Sequence, residues 1–488
     1  MKYSIRIFAV FAFGLTLATS AWAQWSSDPS QNLDLSNISG ADQVQPKLLP
    51  LPNNSWYVSW FNNNPNDPPP NGYDVYYQML SPNGVEQFPH DGVQVAKLTL
   101  SSTEDYGLAI DAAGNALLAF LDDRKDPNNP QVTAAKMSPT GQPLWGPSGV
   151  ALTWDPGFHA APKIAATSDG GIVVAWTKDS SVVLQKLDAN GHPLWIGATA
   201  FDYGITISES GFNYLLADLH ASDNGSVIVS WVRNHGFGSN AYLYANKVSS
   251  TGHLLWGSGH VKVFDGGSLQ FGEFPYFVPD GAGGAMFSWY SNSPSLQVYA
   301  QHILSNGTEA FGHNGSVGST NSFNLRVSPS ASYNPATQET FLFWTEEDSN
   351  QFTNGVSGQK FNSAGTRQWT DSGLTIVPLG SDSQIFVENV QIGTGALVFW
   401  FDQPGFGSGT IQAIKLAGDG STVCSQFPVS SASSDKSRLA AGIASSGLSA
   451  LTWEDDRNGE NDIYIQNVNP DCSLGIETRL RRRVAASN

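Results

Sequence analysis

A short apolar segment that ends in an aromatic residue recurs eight times along this sequence and constrains its fold more than any other feature. Gly171-Ile-Val-Val-Ala-Trp176 is one copy. The aromatic residues that end the copies are Trp60, Phe120, Trp176, Trp231, Trp289, Trp344, Trp400 and Trp453. They are separated by 53 to 60 residues, a period that is typical of propellers and solenoids rather than of unrelated domains.

Each repeat contains signals for four strands. An apolar segment such as residues 161–166 leads through a turn rich in Asp, Ser and Gly into the aromatic-ended strand. A third strand of β-branched and aromatic residues follows, as in residues 73–78. A glycine turn then precedes a fourth strand marked by an aromatic residue such as Trp145 or Trp195. Four strands repeated radially predict an all-β fold, an eight-bladed β-propeller of four-stranded antiparallel blades.

The two ends of the chain predict how the ring closes. Seven repeats carry a fourth-strand aromatic residue, and the eighth ends near Gly475 without one. Trp25 supplies such a residue near the other end of the chain. We therefore expect residues 25–36 to be the N-terminal strand that completes the last blade, so that no sheet edge is left open. On this interpretation residues 24–476 form one propeller domain.

The N-terminal segment predicts export. Lys2 and Arg6 precede an apolar run at residues 7–18, and Ala21-Trp22-Ala23 has the small-x-small pattern of a signal peptidase site. We interpret residues 1–23 as a signal peptide, which places the mature protein outside the cell or in the periplasm. The apolar run is shorter than the roughly 20 residues of a membrane span. We interpret the basic segment at residues 477–488 as a solvated C-terminal tail. We also expect the protein to be a monomer.

Charge and cysteine content narrow the choice of partners. Without residues 1–23 the chain has 22 basic and 42 acidic residues, a net charge of −20, which argues against nucleic acid and anionic lipid. The chain has two cysteines, Cys424 and Cys472. An even number in an exported chain favours a disulfide, and we predict that it joins the last two blades.

Two family resemblances follow from particular motifs. Trp453-Glu-Asp-Asp-Arg-Asn-Gly-Glu-Asn-Asp-Ile-Tyr-Ile-Gln466 resembles the repeat of secreted bacterial β-propeller proteins, which implies the fold but no single function. Ala135-Lys-Met-Ser-Pro-Thr-Gly-Gln-Pro-Leu-Trp145 is similar to the blade-docking motif of pyrroloquinoline quinone dehydrogenases. That resemblance would imply a quinoprotein oxidoreductase, but Met137 replaces the acidic residue of the motif and the adjacent-cysteine pair of that family is missing.

No compact catalytic signature is present, so the candidate site is defined by position. In a four-stranded blade the loops after the second strands and the blade-joining segments lie on one face, around the mouth of the central channel. Polar residues follow the second-strand aromatics there, and any one of them could serve only to satisfy backbone groups of its hairpin turn. Together they surround a concave place, and we predict that any ligand binds among them. These candidates are Asp122, Arg124, Lys178, Arg233, His235, Glu346, Asp402, Asp455 and Arg457.

Two interpretations of this mouth remain open. The preferred one is a non-catalytic binding or scaffold propeller whose partner is a glycan or an extracellular protein. The rival is a carbohydrate-active enzyme that uses paired carboxylates from Glu346-Glu-Asp348 and Glu454-Asp-Asp456. The same clusters offer oxygen ligands for calcium, but neither has the order of a known calcium loop. The histidines show no metal-ligand spacing, so the sequence predicts neither a metal site nor a cofactor.

Overall fold

Eight four-stranded antiparallel sheets follow one another along the chain. They are seen in a computed structural model that describes residues 24–63, 72–100, 103–195, 204–293, 295–405 and 407–476. The first and second strands of blades 1 to 8 are Asp42–Pro50 and Trp56–Asn63; Gly107–Ile110 and Ala116–Asp122; His159–Ala166 and Ile172–Lys178; Asn213–Ala221 and Val227–Asn234; Ser268–Leu269 with Phe277–Pro279, and Ala285–Ser293; Leu325–Asn334 and Glu339–Glu347; Ser383–Ile392 and Gly395–Gln403; Lys436–Ile443 and Ser449–Asp455.

The third and fourth strands complete each sheet in sequence order. They are Tyr73–Leu80 and Val93–Ala96; Gln131–Met137 and Val150–Ala151; Ser181–Leu187 and Ile205–Ile207; Tyr242–Val248 and Val261–Phe264; Gln297–Ile303 and Ser316–Val317; Asn354–Phe361 and Leu374–Gly380; Gly409–Leu416 and Thr422–Ser434; and, in blade 8, Asp462–Val468 paired with Leu33–Ser36. A short 3-10 turn at Asp223–Gly225 joins the first two strands of blade 4. The predicted eight-bladed propeller is confirmed.

The first strands form the inner wall of the ring. At every one of the eight junctions the first strand of one blade packs against the first strand of the next, including blade 8 against blade 1. The core is correspondingly divided into eight apolar clusters, each shared by two neighbouring blades. The second-strand aromatics are fully buried in these clusters. Their regular spacing in the sequence is therefore a consequence of blade-to-blade packing.

The N-terminal segment closes the ring as predicted, although the strand that pairs with blade 8 is Leu33–Ser36 rather than the whole of residues 25–36. Leu33 pairs with Ile465 of blade 8, and Trp25 is buried between blades 8 and 1. The Trp25 indole N–H donates to the Pro82 carbonyl of blade 1 at 2.9 Å. In blade 8 the first three strands come from the C-terminal part of the chain and the fourth comes from the N-terminal part. The third strand, Asp462–Val468, is therefore paired on both sides.

The predicted disulfide lies within the described residues, whereas the two terminal segments do not. Cys424, in the fourth strand of blade 7, is bonded to Cys472, in the turn that follows the third strand of blade 8. The predicted bridge between the last two blades is confirmed. The predicted signal peptide at residues 1–23 and the basic tail at 477–488 lie outside the described residues. None of the residues placed by the structure form an apolar helix of membrane-spanning length.

Candidate functional site

The first strand of blade 5 is split in two, and the residues between its halves enter the central channel. Leu269 pairs with Ser291, whereas Phe277 pairs with Phe287, so seven residues, 270–276, face only three, 288–290. We call residues 270–276 the blade-5 loop. A turn bond from the Glu273 amide to the Gln270 carbonyl closes it, and the Tyr290 amide donates to Glu273 Oε1 at 2.9 Å.

The blade-5 loop forms one wall of a cavity of about 910 Å³. The remaining walls come from the first strands, and from the segments that lead into them, of blades 2, 3, 4, 6, 7 and 8. The cavity therefore lies on the channel axis, at the end where the blade-joining segments enter. Its lining combines aliphatic side chains with aromatic, carboxyl and guanidinium groups, which is the mixture expected of a small-ligand site. The aromatic and charged members are Glu104, Asp105, Phe158, Glu273, Phe274, Tyr276, Phe277, Tyr290, Glu388 and Arg438.

Asp105 is the centre of an ion-paired network at the cavity floor. It accepts hydrogen bonds from Lys47 of blade 1 at 2.7 Å and from Lys163 of blade 3. The hydroxyl of Tyr276 reaches it from blade 5, at 3.1 Å. Burial alone would raise the pKa of Asp105, but Lys47 and then Lys163 outweigh it and hold the pKa below its ordinary value. Asp105 is therefore ionised and fully paired.

Tyr276 crosses the channel but is a poor proton-transfer group. Its ring lies 5.0 Å from Lys163 Nζ and is 58% exposed. Burial of the hydroxyl raises the phenol pKa, and the negative charge of Asp105 raises it further. At neutral pH the phenol is protonated and donates to Asp105, so its accessible ring is a contact surface.

Three other carboxyl groups in the cavity have no ionic partner among the described residues. Burial raises the pKa of Glu104 and raises that of Glu273 well above its usual value. Burial also raises the pKa of Glu388 to about 7, although the Ser330 hydroxyl donates to it at 2.9 Å. Arg438, on the blade 8 side, makes no hydrogen bond or ion pair to any residue that the structure places. The cavity thus contains unpaired charge-bearing groups.

Exposed aromatic rings are concentrated on the same face. In the described part of the chain, every exposed large aromatic lies in a blade-joining segment, in a loop between second and third strands, in the blade-5 loop or at a first-strand bulge. They are Trp154, Phe158, Phe237, Phe271, Phe274, Tyr276, Phe323, Phe352 and Phe386. Phe271 and Phe237 meet edge to face with ring centroids 5.5 Å apart. The mouth therefore has an apolar, aromatic rim that most protein surfaces lack.

The residues predicted from the sequence lie at the ends of the second strands, each paired within its own blade or with the segment leading into it. Asp122 binds Arg124 and the Thr133 hydroxyl, and Lys178 pairs with Asp155 at 2.6 Å. Arg233 pairs with Glu209 at 2.6 Å and lies over the ring of Phe212, which also contacts His235.

The remaining predicted residues are also held by neighbours. Glu346 pairs with Arg326 and accepts the Trp344 indole N–H, and Asp402 accepts from Gln384 at 2.7 Å. Asp455 is fully buried, binds Arg457 and Lys436, and accepts the Trp453 indole N–H. The structure thus brings together Asp122 with Arg124, Arg233 with His235, and Asp455 with Arg457. None of the nine predicted residues lines the cavity.

A shared position in the sequence repeat relates the cavity-lining Tyr276 and Glu388 to the charged residues grouped around Asp105. Lys47, Lys163, Asp218 and Tyr276 each stand thirteen residues before a second-strand aromatic, and Glu388 stands twelve before Trp400. This is the position where the first strand faces the channel, and polar groups there interrupt otherwise apolar strands. Aligning the repeats on their aromatics therefore identifies the channel-facing side chains.

Metal ligation has no support in this geometry. No group of three or more His, Cys, Asp or Glu side chains in the described residues is arranged to hold a metal ion. The one charged cluster at the cavity floor is already balanced, because Lys47 and Lys163 face Asp105 and the nearby Asp218. The chemistry that the site offers is hydrogen bonding, charge pairing and aromatic contact.

Comparisons with known proteins identify no family for this chain. No protein-family model matches the sequence, and no curated protein matches it significantly. Among solved structures, the Dos1 propeller is similar at 11% identity and TM-score 0.48, over 90% of this chain and 95% of that one. The polysaccharide lyase Uly1 gives 11% identity and TM-score 0.43, over 89% and 91%. Prolyl oligopeptidase B from Galerina marginata gives 12% and 0.43, over 85% and 55%. At these identities the likeness is one of fold alone.

Proposed function

We propose that this protein is a secreted, non-catalytic binding propeller that takes its ligand in the central cavity at the channel mouth. The observation that carries the proposal is the blade-5 loop. Several first strands that the structure describes contain a single-residue bulge, whereas the first strand of blade 5 is split by seven residues that face three. These residues supply Glu273, Phe274 and Tyr276 to the cavity. A departure from the repeat that builds a wall of a cavity is better explained by recognition than by folding.

The state of Tyr276 and Asp105 favours a binding role for these two groups. The phenol of Tyr276 has a raised pKa, and the carboxylate of Asp105 is occupied by two lysines. A general base must be free to take a proton near the working pH, and neither group is. Exposed rings such as Phe158 and Tyr276, in contrast, offer apolar contact area that is already held in place.

Export, partner class and oligomeric state belong to the same proposal. The small-x-small site before Gln24 and the disulfide between Cys424 and Cys472 both suit an oxidising compartment outside the cytoplasm. We propose that the mature protein is a monomer that binds a glycan or an extracellular protein, and that it is one of the secreted bacterial β-propeller repeat proteins which its motifs resemble.

A binding array on mature protein tests the proposal. Residues 24–488 are screened against glycans and peptides, followed by titration of the hits with Phe158→Ala and Tyr276→Ala. Each substitution should weaken binding by at least about tenfold, because each removes an exposed ring from the cavity wall. Leu194→Ala, an exposed apolar side chain remote from the cavity, is the matched control and should bind normally. Hits that bind the two cavity variants as well as the parent would refute a cavity site.

A second candidate function rests on one specific observation. Glu388 and Asp105 line the same cavity, and their pKa values are shifted in opposite directions, up for Glu388 and down for Asp105. Such a split is what a carbohydrate-active enzyme needs in a general acid and its partner carboxylate. Hydrolysis of a bound glycan that disappears in Glu388→Gln, with binding retained, would establish this function and exclude the non-catalytic one.

A further inference from the structure

We infer that the ligand carries a primary ammonium group, which enters the central cavity and binds the carboxyl group of Glu388. This inference rests on the proposed cavity site and specifies its ligand chemistry. The remainder of the ligand is apolar and packs against the aromatic and aliphatic lining, which includes Phe158, Leu216 and Met286.

The balance of charge in the channel is the first argument. Lys47 and Lys163 are the cations of the floor, and Asp105 and Asp218 neutralise them. Asp218 is also paired with His220 at 3.1 Å. The carboxyl groups of Glu104, Glu273 and Glu388 therefore remain as surplus acid, against one unpaired cation, Arg438. A carboxyl group that burial keeps protonated, with no cation beside it, can lose its proton when a cationic ligand supplies the missing charge.

The environment of Glu388 is the second argument. It is half-buried and receives a hydrogen bond from Ser330. Its charge acts on the phenol of Tyr276, and Arg438 of the next blade lines the same cavity without an ion pair to Glu388. The Glu388 pKa of about 7 reflects burial without a cation. An ammonium ion would supply the missing charge and, through its N–H groups, a charge-assisted hydrogen bond to the carboxylate.

The whole molecule favours the same sign of ligand. The mature chain carries 22 basic and 42 acidic residues, so its overall field attracts cations. Arg438 opposes this preference locally and offers the competing arrangement, in which an anion binds Arg438 while Glu388 stays protonated. The two arrangements predict opposite effects of pH on ligand affinity. Ammonium binding requires Glu388 to lose its proton, so its affinity should rise with pH, whereas anion binding requires Glu388 to keep its proton, so its affinity should fall.

Calorimetric titration with four six-carbon probes separates the possibilities. The probes are hexylamine, hexyltrimethylammonium, hexanol and hexanoate, and each is titrated into residues 24–488 between pH 6 and pH 8. Hexylamine should bind the tightest, and its affinity should rise about tenfold over this range, because a carboxyl with a pKa of about 7 goes from mostly protonated to mostly ionised. Hexyltrimethylammonium, which has no N–H, should bind more weakly.

Two variants assign the effect to named groups. Glu388→Gln should reduce the affinity for hexylamine by at least about tenfold and remove its dependence on pH. Arg438→Gln should strengthen hexylamine binding, because it removes a like charge. Asp419→Asn is the control for Glu388→Gln, because it also removes one carboxylate but lies in an exposed turn outside the cavity. It should not change hexylamine binding. Melting temperatures of all variants are measured in parallel, so that loss of folding is recognised.

The outcomes distinguish this inference from the function on which it rests. Tighter binding of hexanoate, with affinity that falls as pH rises and is lost in Arg438→Gln, would overturn the ammonium assignment while leaving a cavity ligand in place. Hexylamine binding that Glu388→Gln leaves intact would also overturn it. If the result is as expected, lysine-containing peptides and glucosamine oligomers are then compared, since both carry primary ammonium groups.

Discussion

Single residues with left-handed backbone angles shape the inner wall of this propeller. Gln45, Ala161, Ser328, Phe386 and Arg438 all have φ between 47° and 56° and lie where the first strand slips in register against the second. A bulge of this kind adds a residue and re-aims the side chains that follow it. Lys47, Lys163, Ser330 and Glu388 each come two residues after such a residue, which explains why they reach the channel at one level.

Glu388→Gln should make the protein more stable at alkaline pH. The folded-state pKa of about 7 lies above the ordinary value of 4.5, so the folded protein holds this proton more firmly than the unfolded chain. Raising the pH from 4.5 to 7 therefore destabilises the native state, by up to about 3 kcal/mol. Glutamine cannot ionise and avoids this loss. The variant should melt like the parent at pH 4 and higher than the parent at pH 8. Equal melting temperatures at both values would contradict the raised pKa.

Asp455→Ala should destabilise the fold strongly. The carboxylate is fully buried and accepts hydrogen bonds from Ser434 and Trp453 in addition to pairing with Lys436. Removing it leaves the buried ammonium of Lys436 without a counter-ion, at a cost of roughly 3–5 kcal/mol. Urea unfolding measures this cost.

Asp402→Ala is the comparison variant for Asp455→Ala, because Asp402 accepts one side-chain bond, from Gln384, and should cost much less. Loss of ligand binding in Asp455→Ala with unchanged stability would instead support the direct ligand contact that the sequence predicts for Asp455.

The sequence predicts the buried aromatics well and the channel residues poorly. An aromatic such as Trp176 recurs because every blade needs the same packing, so its period is visible in one sequence. Lys163 and Glu388 stand at comparable positions in different blades but differ in charge. Each is bound by a neighbouring blade, Lys163 by Asp105 and Glu388 by Ser330. Such pairing between neighbouring repeats leaves no local pattern. The position of these residues was predictable from the repeat, but their interactions were not.

Neighbouring blades are joined by aromatic residues that precede the fourth strands rather than lying within them, where the sequence predicts them. The indole N–H groups of Trp145, Trp195 and Trp256 donate to carbonyls in the turn after the third strand of the following blade. At Gly307 a side-chain carbon would come within 2.7 Å of Trp256, and φ is +85°, so glycine is required there. The glycine turn and the aromatic residue that the sequence pairs in every repeat are therefore two sides of one contact between blades.

Replacing both cysteines by serine should weaken the junction between blades 7 and 8. The fourth-strand residue of blade 7 is Phe427, which has no N–H with which to hold the next turn. The disulfide lies at this junction and closes a segment of 48 residues, which corresponds to about 4 kcal/mol in the chain-entropy model. Denaturant unfolding of Cys424→Ser/Cys472→Ser should show a loss of this order. Unchanged stability of the double variant would mean that the closed segment is already ordered in the unfolded chain.

The blade-5 loop is the element that the repeat does not predict. Its sequence, Gln-Phe-Gly-Glu-Phe-Pro-Tyr, is rich in aromatic residues like the strands around it. The number of residues from Trp231 to Trp289 is also within the range of the other repeats. The surplus residues are absorbed by a short strand, Ser268–Leu269, that pairs with the far end of Ala285–Ser293. Repeat length therefore conceals this insertion, and the register of pairing reveals it.

At the scale of the whole molecule, closure by the N-terminal strand makes the stability of the ring depend on residues far apart in sequence. The first strands pack in a continuous circle, so that opening one junction removes support from both of its neighbours. Asn32 contributes a second link, because its side-chain amide donates to the Val429 carbonyl of blade 7 at 3.0 Å. The N-terminal segment thus holds blades 7, 8 and 1 together.

A circular permutation tests whether this closure depends on chain order. Gly475, at the end of the third-strand turn of blade 8, lies beside Ser27, so that a side-chain carbon on Gly475 would be 2.8 Å from the Ser27 amide nitrogen. Residues 24–36 can therefore be moved to follow residue 476, which gives blade 8 four consecutive strands like every other blade. The permuted protein should be a monomer with nearly the melting temperature of the parent.

Deletion of residues 24–36 without this transfer is the matched control. It removes Trp25 and Leu33 from the core between blades 8 and 1 and exposes the edge of Asp462–Val468, so the deleted protein should melt far lower or associate through that edge. Thermal melting and light scattering of the three proteins measure both effects. If the permuted protein is as unstable as the deleted one, residues 24–36 cannot stabilise blade 8 from their new place in the chain. Closure would then depend on the natural chain order and not only on the contacts of these residues.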